Sequence, residues 1–296
     1  MIIKGGVLRF SINLFGTPVK DMVRLVPRAD KLGFEAVWLG EHLVRPARFQ
    51  SHYPYSPTGS TQEVWPSETP LSDPWVALGH LAAMTAKIRL ATGVYVLPLR
   101  NPFVTARAVA TLHAVSGGRA VLGIGAGWNR EEFAIVGEDF EHRGARMDEI
   151  IRILRRLWAG EAFSHSGDFY RFAEVRLGPA QDPPIPIVMG GHAPPALRRA
   201  GRLGDGWYST ATGTLAEMVE FRRRIEQARA DADRTSQPFA YYIRMNGDLD
   251  ARNAGRYRDE GFEHLTLPTN RLWRGAASVE DKLDTLDRLA RELELQ

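Results

Sequence analysis

Residues 88–124 hold a complete strand, helix and strand in succession, and this unit limits the folds open to the chain. IRLATGVYV at 88–96 and RAVLGI at 119–124 are short apolar runs rich in branched residues, as expected of parallel strands buried on both faces. Between them Asn101 offers an N-cap and Pro102 a first helical position. The helix then runs through Val104, Ala108 and Leu112 to Gly117-Gly118. This is a βαβ unit.

The alternation repeats along the chain. Strands are predicted at 8–14, 34–40, 88–96, 119–124, 185–190, 206–210, 239–246 and 263–268. Helices are predicted at 18–32, 73–86, 102–115, 143–158, 194–203, 215–233, 250–260 and 279–293. Boundary signals support several of them, including Thr17-Pro18, Thr214 with Glu217 and Ser278 with Asp281. Apolar spacing agrees: Met147, Ile150, Ile151, Leu154, Leu157 and Trp158 share one helix face, and Leu283, Leu286, Leu289 and Leu293 share another.

Eight strand and helix pairs point to an α/β fold, a (β/α)8 TIM barrel, with 1–296 as one domain. A doubly wound open sheet competes, but Gly123, Gly125 and Gly127 form G-x-G-x-G with Trp128 next, which misses the third glycine of the dinucleotide fingerprint. Two insertions interrupt the barrel. Residues 43–72, after strand 2, mix Pro46, Pro54, Pro57, Pro66 and Pro70 with Tyr53, Tyr55 and Trp65, and are expected to form a substrate-facing loop at the C-terminal mouth. A surface or subunit-contact loop is the competing reading. Residues 163–184, before strand 5, read as a small β excursion around Gly167-Asp168-Phe169-Tyr170, with no chemistry assigned.

Composition excludes several functions. The formal net charge is only +3 and the charges are dispersed, so nucleic acid is not an expected partner. Without cysteine there is no disulfide, thiolate metal site or cysteine nucleophile. No H-E-x-x-H spacing implies metal and no G-x-S-x-G elbow implies a serine hydrolase. No stretch of 18 apolar residues is present, and a cytoplasmic protein with no membrane partner is expected.

The motifs together resemble the bacterial luciferase-like monooxygenase superfamily of flavin- and deazaflavin-dependent oxidoreductases. The resemblance extends over nearly the whole chain. It is carried by GFEAVWLGEH at 33–42, Thr92-Gly93-Val94 with Arg100-Asn101-Pro102, SGGRAVLGIGAGW at 116–128, PIVMGGH at 186–192 and LGDGW at 203–207. It implies a barrel that binds FMN or coenzyme F420 at the C-terminal strand ends. It also implies a bulge with a non-proline cis peptide at Gly93-Val94 behind the isoalloxazine ring, against which an ordinary glycine bulge competes.

The strand tip at Ala126 and Gly127 is expected beside the cofactor, where glycine permits close approach. Trp128, at a strand end after glycines, is a candidate for the substrate pocket, with simple core as the competing reading. For Gly123 and Gly125 relief of crowding is the preferred reading. Sugar-phosphate dehydrogenases of this superfamily have a catalytic carboxylate at this strand tip, Ala126-Gly127-Trp128, and this chain does not, a departure that argues against that activity. Gly190-Gly191-His192, between a strand and a helix, suits a phosphate and by resemblance is the cofactor phosphate loop. A tight turn is its competing reading.

His42, immediately after strand 2, is the candidate catalytic or substrate-contact residue, because imidazole exchanges protons near neutral pH, with a structural histidine as the competing reading. Glu41 beside it is expected near the cofactor, and Asn13 at the end of strand 1 as a polar substrate contact. The expected activity is F420-dependent hydride transfer to or from a small organic molecule. An FMN-dependent monooxygenase and a flavin-binding protein with little activity are the alternatives. Five lysines among 38 Lys and Arg residues match a GC-rich genome such as that of actinobacteria, where F420 is common. A homodimer is a candidate assembly.

Overall fold

The computed structural model describes residues 6–55, 60, 65–211 and 213–295. Part of the 43–72 insertion, Pro57 included, therefore lies outside the described residues.

Eight parallel strands close on themselves. In chain order they are β1 (Arg9–Asn13), β2 (Ala36–Leu39), β3 (Arg89–Thr92), β5 (Ala120–Gly125), β8 (Ile187–Gly190), β9 (Gly206–Tyr208), β10 (Ala240–Arg244) and β11 (His264–Leu267). Each pairs with its successor, and β11 returns to β1 with Arg9 opposite His264. Their near-continuous apolar character follows from burial on both faces: every residue of β2, β5 and β8 is buried. The predicted (β/α)8 barrel is the observed fold.

Helices cover the outside, at Val19–Lys31, Pro74–Ala82, Pro102–Val115, Arg143–Trp158, Pro194–Leu203, Leu215–Ala230, Ala251–Asp259 and Val279–Glu292. Asn101 caps its helix through the Phe103 and Val104 amides, and Thr214–Glu217 and Ser278–Asp281 form complete capping boxes. The Thr17 signal fails: Pro18 occupies the N-cap and the Thr17 hydroxyl is buried without a hydrogen bond. The helix predicted at 73–86 ends at Ala82, where the Arg119 guanidinium takes the carbonyls of Ala82, Thr85 and Ile88. Among the described residues two α-helices went unpredicted, Arg130–Val136 and the single turn Thr269–Leu272. The excursion before strand 5 is an antiparallel hairpin, β6 (Phe163–Ser166) and β7 (Arg171–Val175).

Large side chains fill the barrel interior. Trp38 stacks on Tyr208 with ring centroids 4.4 Å apart and meets Tyr242 at 4.7 Å. Small residues make room for them, since a Cβ on Gly93 would lie 2.9 Å from the Trp38 Cβ. The stretch 88–96, expected as one strand, is interrupted by a cis peptide at Gly93-Val94 and resumes as β4 (Tyr95–Val96) along β5. Across the interruption the Thr92 hydroxyl substitutes for the ladder, donating to the Gly123 carbonyl at 2.7 Å and accepting the Gly123 amide at 3.0 Å.

No helix among the described residues is long and apolar enough to cross a membrane.

Candidate functional site

The C-terminal ends of β2, β3, β5, β8 and β10 converge on one mouth. The cis bulge sets the Val94 side chain across it: a Cβ on Gly125 would lie 2.8 Å from Val94 Cγ2, and one on Gly190 would lie 2.8 Å from Val94 Cγ1. Gly123 has a steric reason, as its Cβ would fall 1.9 Å from the Thr92 carbonyl oxygen. Gly127, at φ +84°, packs beneath Val96 and Phe133. Ala126 and Gly127 thus border the mouth between the bulge and the first turn of helix 130–136.

Glu41 braces the bulge from behind. One carboxylate oxygen accepts the Val96 amide at 2.9 Å and the other pairs with Arg100 at 2.5 Å. Burial pushes this carboxyl upward in pKa, against the pull of Arg100. Any influence of Glu41 on a bound ring would pass through β4. Asn13 is similarly committed: its amide donates to the Tyr208 hydroxyl at 3.0 Å, and its oxygen accepts from Phe15 and Thr269.

His42 projects from the end of β2 with its side chain 11% exposed. Its ring stacks on Trp65 at 4.0 Å and meets the edge of Trp128 at 5.8 Å. Phe49 and Tyr53 complete an aromatic cover, the former 5.7 Å from Trp65 and the latter 5.2 Å from Trp128. The described part of the 43–72 insertion therefore lies over the C-terminal mouth, and His42 and Trp128 come together under it.

The sequence reading missed the group that joins His42. Glu132, 1% exposed, accepts from His42 Nδ1 at 2.9 Å and from the amides of Leu43 at 2.5 Å and Val44 at 3.3 Å. Its neighbour Glu131 takes the amides of Gln50 and Ser51 and the Ser51 hydroxyl. Burial raises the Glu131 pKa, but these hydrogen bonds outweigh it and hold the carboxyl at about 2. Both acids stand in the first turn of helix 130–136, capped by Asn129, where the helix dipole favours negative charge. Asn129 followed by two acids and Gly137 was the available signal.

At the opposite side of the mouth is the Gly190-Gly191-His192 turn. Gly191 has φ +109°, and a Cβ there would lie 2.9 Å from the Ala196 Cβ. The expected supply of helix amides is smaller than the sequence implied, because Pro194 and Pro195 occupy the first helical positions and carry no N–H. Arg244, another residue the sequence reading missed, compensates. It lies beside Thr210, whose carbonyl accepts its Nη1 at 2.6 Å. Arg244 Nε, Thr210 Oγ1 and His192 Nε2 are all buried without a hydrogen-bond partner. A guanidinium, a hydroxyl and an imidazole with spare capacity around a glycine turn fit a phosphate group. Tyr55 now reaches into this turn, its hydroxyl accepting the His192 amide at 3.3 Å. Burial, aided by Arg244, lowers the His192 pKa to about 4, and burial raises that of Tyr53 to about 12.

Among the described residues no group of three or more His, Asp or Glu gathers as a metal site.

A profile of luciferase-like monooxygenases matches residues 11–247. The uncharacterized protein Rv0940c of Mycobacterium tuberculosis is 32% identical over 260 residues, 88% of each chain. The F420-dependent glucose-6-phosphate dehydrogenase of Amycolatopsis mediterranei is 27% identical over 292 residues, 93% of this chain and 77% of that one. Among solved structures, an F420-dependent secondary alcohol dehydrogenase in complex with an F420-acetone adduct matches with a TM-score of 0.76 at 17% identity, covering 97% of this chain and 99% of that one. At that identity the likeness is one of fold.

Proposed function

The chain belongs to the luciferase-like monooxygenase family, and from that premise we propose that it is a coenzyme F420-dependent oxidoreductase acting on a small organic molecule with a hydroxyl or carbonyl group. The observation that carries this reading is a proton-exchanging imidazole, His42, under an aromatic cover at the same barrel mouth as an anion cradle. Relatives named as F420-dependent enzymes and the arginine-biased composition favour the deazaflavin over FMN.

In this reading Gly190, Gly191, Thr210, His192 and Arg244 hold the cofactor phosphate, and Val94 supports the back of the ring from the cis bulge. When bound, the deazaflavin supplies hydride transfer. His42 Nε2 takes the proton from a substrate hydroxyl, or returns it to a carbonyl oxygen in the reverse direction. Trp65, Phe49, Tyr53 and Trp128 shield this exchange from water and provide flat apolar contact. The fourth strand tip, Ala126-Gly127-Trp128, carries no carboxylate, which argues against sugar phosphates as substrates. Tyr55 leaves the His192 amide when a phosphate oxygen replaces its hydroxyl.

The test is titration of the purified protein with F420 and, separately, with FMN. F420 should bind at least about tenfold more tightly, a difference of about 1.4 kcal/mol. Arg244→Met should weaken binding by about ten- to a hundredfold, since it removes a charge-assisted contact but keeps most of the side-chain volume. Gly191 is a poorer target because its positive φ strains any replacement. Tighter binding of FMN, or unchanged affinity in folded Arg244→Met, would overturn the assignment.

A further inference from the structure

We propose that Glu132 is a positioning residue that fixes the tautomer of His42, so that Nε2 is the atom that exchanges protons with substrate. This rests on the reading of His42 given above. The inference comes from a residue 90 positions away in sequence that is nevertheless fully buried against the ring. A carboxylate only accepts hydrogen bonds, so His42 Nδ1 must be the donor across the 2.9 Å contact. In the neutral ring this leaves Nε2 as the acceptor, and among the described residues it has no hydrogen-bond partner. Stacking on Trp65 at 4.0 Å holds the ring plane, so the carboxylate and the indole together set both orientation and tautomer.

The surrounding charges favour this arrangement. Glu132 approaches from helix 130–136 and Glu41 from the strand end that carries His42, while Arg100 is paired to Glu41 and Arg45 lies over the Phe49 and Trp65 rings. When a substrate hydroxyl loses its proton to Nε2, the ring becomes an imidazolium and its Nδ1–H remains on Glu132. The positive charge then faces a buried carboxylate at hydrogen-bond distance. The residues that follow the fourth barrel strand, Ala126-Gly127-Trp128, include no acid, but the helix after them returns one to His42. This acid reaches the reaction only through the ring.

Glu132→Gln separates this role from packing. The amide oxygen still accepts from Leu43 and Val44, but the NH2 group now faces Nδ1 and donates to it. The neutral ring must then carry its hydrogen on Nε2, the reverse of the wild-type state. The two forms are read directly from the ¹⁵N shifts of the His42 ring in the cofactor-free protein, assigned by their loss in His42→Ala. In wild-type protein with a neutral ring, Nδ1 should be the protonated nitrogen. In Glu132→Gln the two shifts should exchange, and turnover should fall by about 10² to 10⁴ with little change in cofactor affinity. Glu132→Asp should retain the Nδ1–H form and recover part of the turnover.

Wild-type protein with its proton on Nε2 would overturn the proposal without any variant. Unchanged nitrogen shifts in folded Glu132→Gln would also overturn it, while leaving His42 as the proton-exchanging group. Normal turnover in His42→Ala would instead overturn the reading of His42, whatever tautomer Glu132 imposes.

Discussion

At the scale of single residues, the site is half legible from sequence. His42, Gly191, His192 and Trp128 could be nominated because each follows a predicted strand, and a barrel assembles its chemistry at strand ends. Glu132 and Arg244 could not, since their meaning lies in partners 90 and 34 residues away, at His42 Nδ1 and the Thr210 carbonyl. His192 yields a pH prediction. Its pKa of about 4 in the folded chain lies below the ordinary 6.5, so between those values the unfolded chain holds a proton that the folded chain lacks. Stability is therefore undiminished above about pH 6.5 and falls as pH drops toward 4, by about 1–3 kcal/mol for a group that keeps some solvent contact. Urea unfolding at pH 7.5 and pH 5 should show this loss in wild type and a smaller one in His192→Gln. Inorganic phosphate should reduce the wild-type loss by pairing with the imidazolium. Equal pH slopes in the two proteins would remove His192 from the explanation.

At the scale of elements, long periodic helices and buried strands were readable, whereas short connecting pieces were not. Helix 130–136 spans seven residues, too few for an apolar repeat to stand out, and its purpose is visible only when its first turn is seen gripping the 43–72 insertion. Glu132 holds the start of that segment at Leu43 and Val44, and Glu131 holds it again at Gln50 and Ser51. Glu131→Ala should release the second point and leave the helix cap at Asn129 intact. The loss should appear as faster tryptic cleavage after the exposed Arg48, and as a raised KM with a smaller change in kcat, because the aromatic cover is loosened but His42 stays in place. Glu131→Gln should cleave at an intermediate rate, since an amide oxygen still accepts from the two backbone N–H groups. A cleavage rate equal to wild type in Glu131→Ala would show that Glu132 alone holds the segment.

At the scale of the whole molecule, the barrel was legible because eight apolar segments alternate with helices, a pattern that few architectures accommodate. What the pattern could not show is how a narrow barrel holds Trp38, Tyr208 and Tyr242 at one level. The structure answers with glycine where β3, β5 and the cis bulge pass closest, so the same substitution should have opposite effects in the two layers. Gly123→Ala would place a methyl group 1.9 Å from the Thr92 carbonyl and 3.1 Å from the Trp38 ring. Backbone on one side and a buried indole on the other cannot both yield, so the expected cost reaches at least the upper end of ordinary overpacking, about 3 kcal/mol. Gly79 lies inside the outer helix Pro74–Ala82, and a Cβ there meets nothing within 4 Å. Gly79→Ala should therefore stabilise by about 0.5–1 kcal/mol, through the smaller conformational freedom that alanine loses on folding. Denaturant midpoints of the two variants should move in opposite directions from wild type. A Gly123→Ala protein as stable as wild type would mean that β3 and β5 separate without cost, and the link between barrel packing and the position of the Val94 bulge would fail with it.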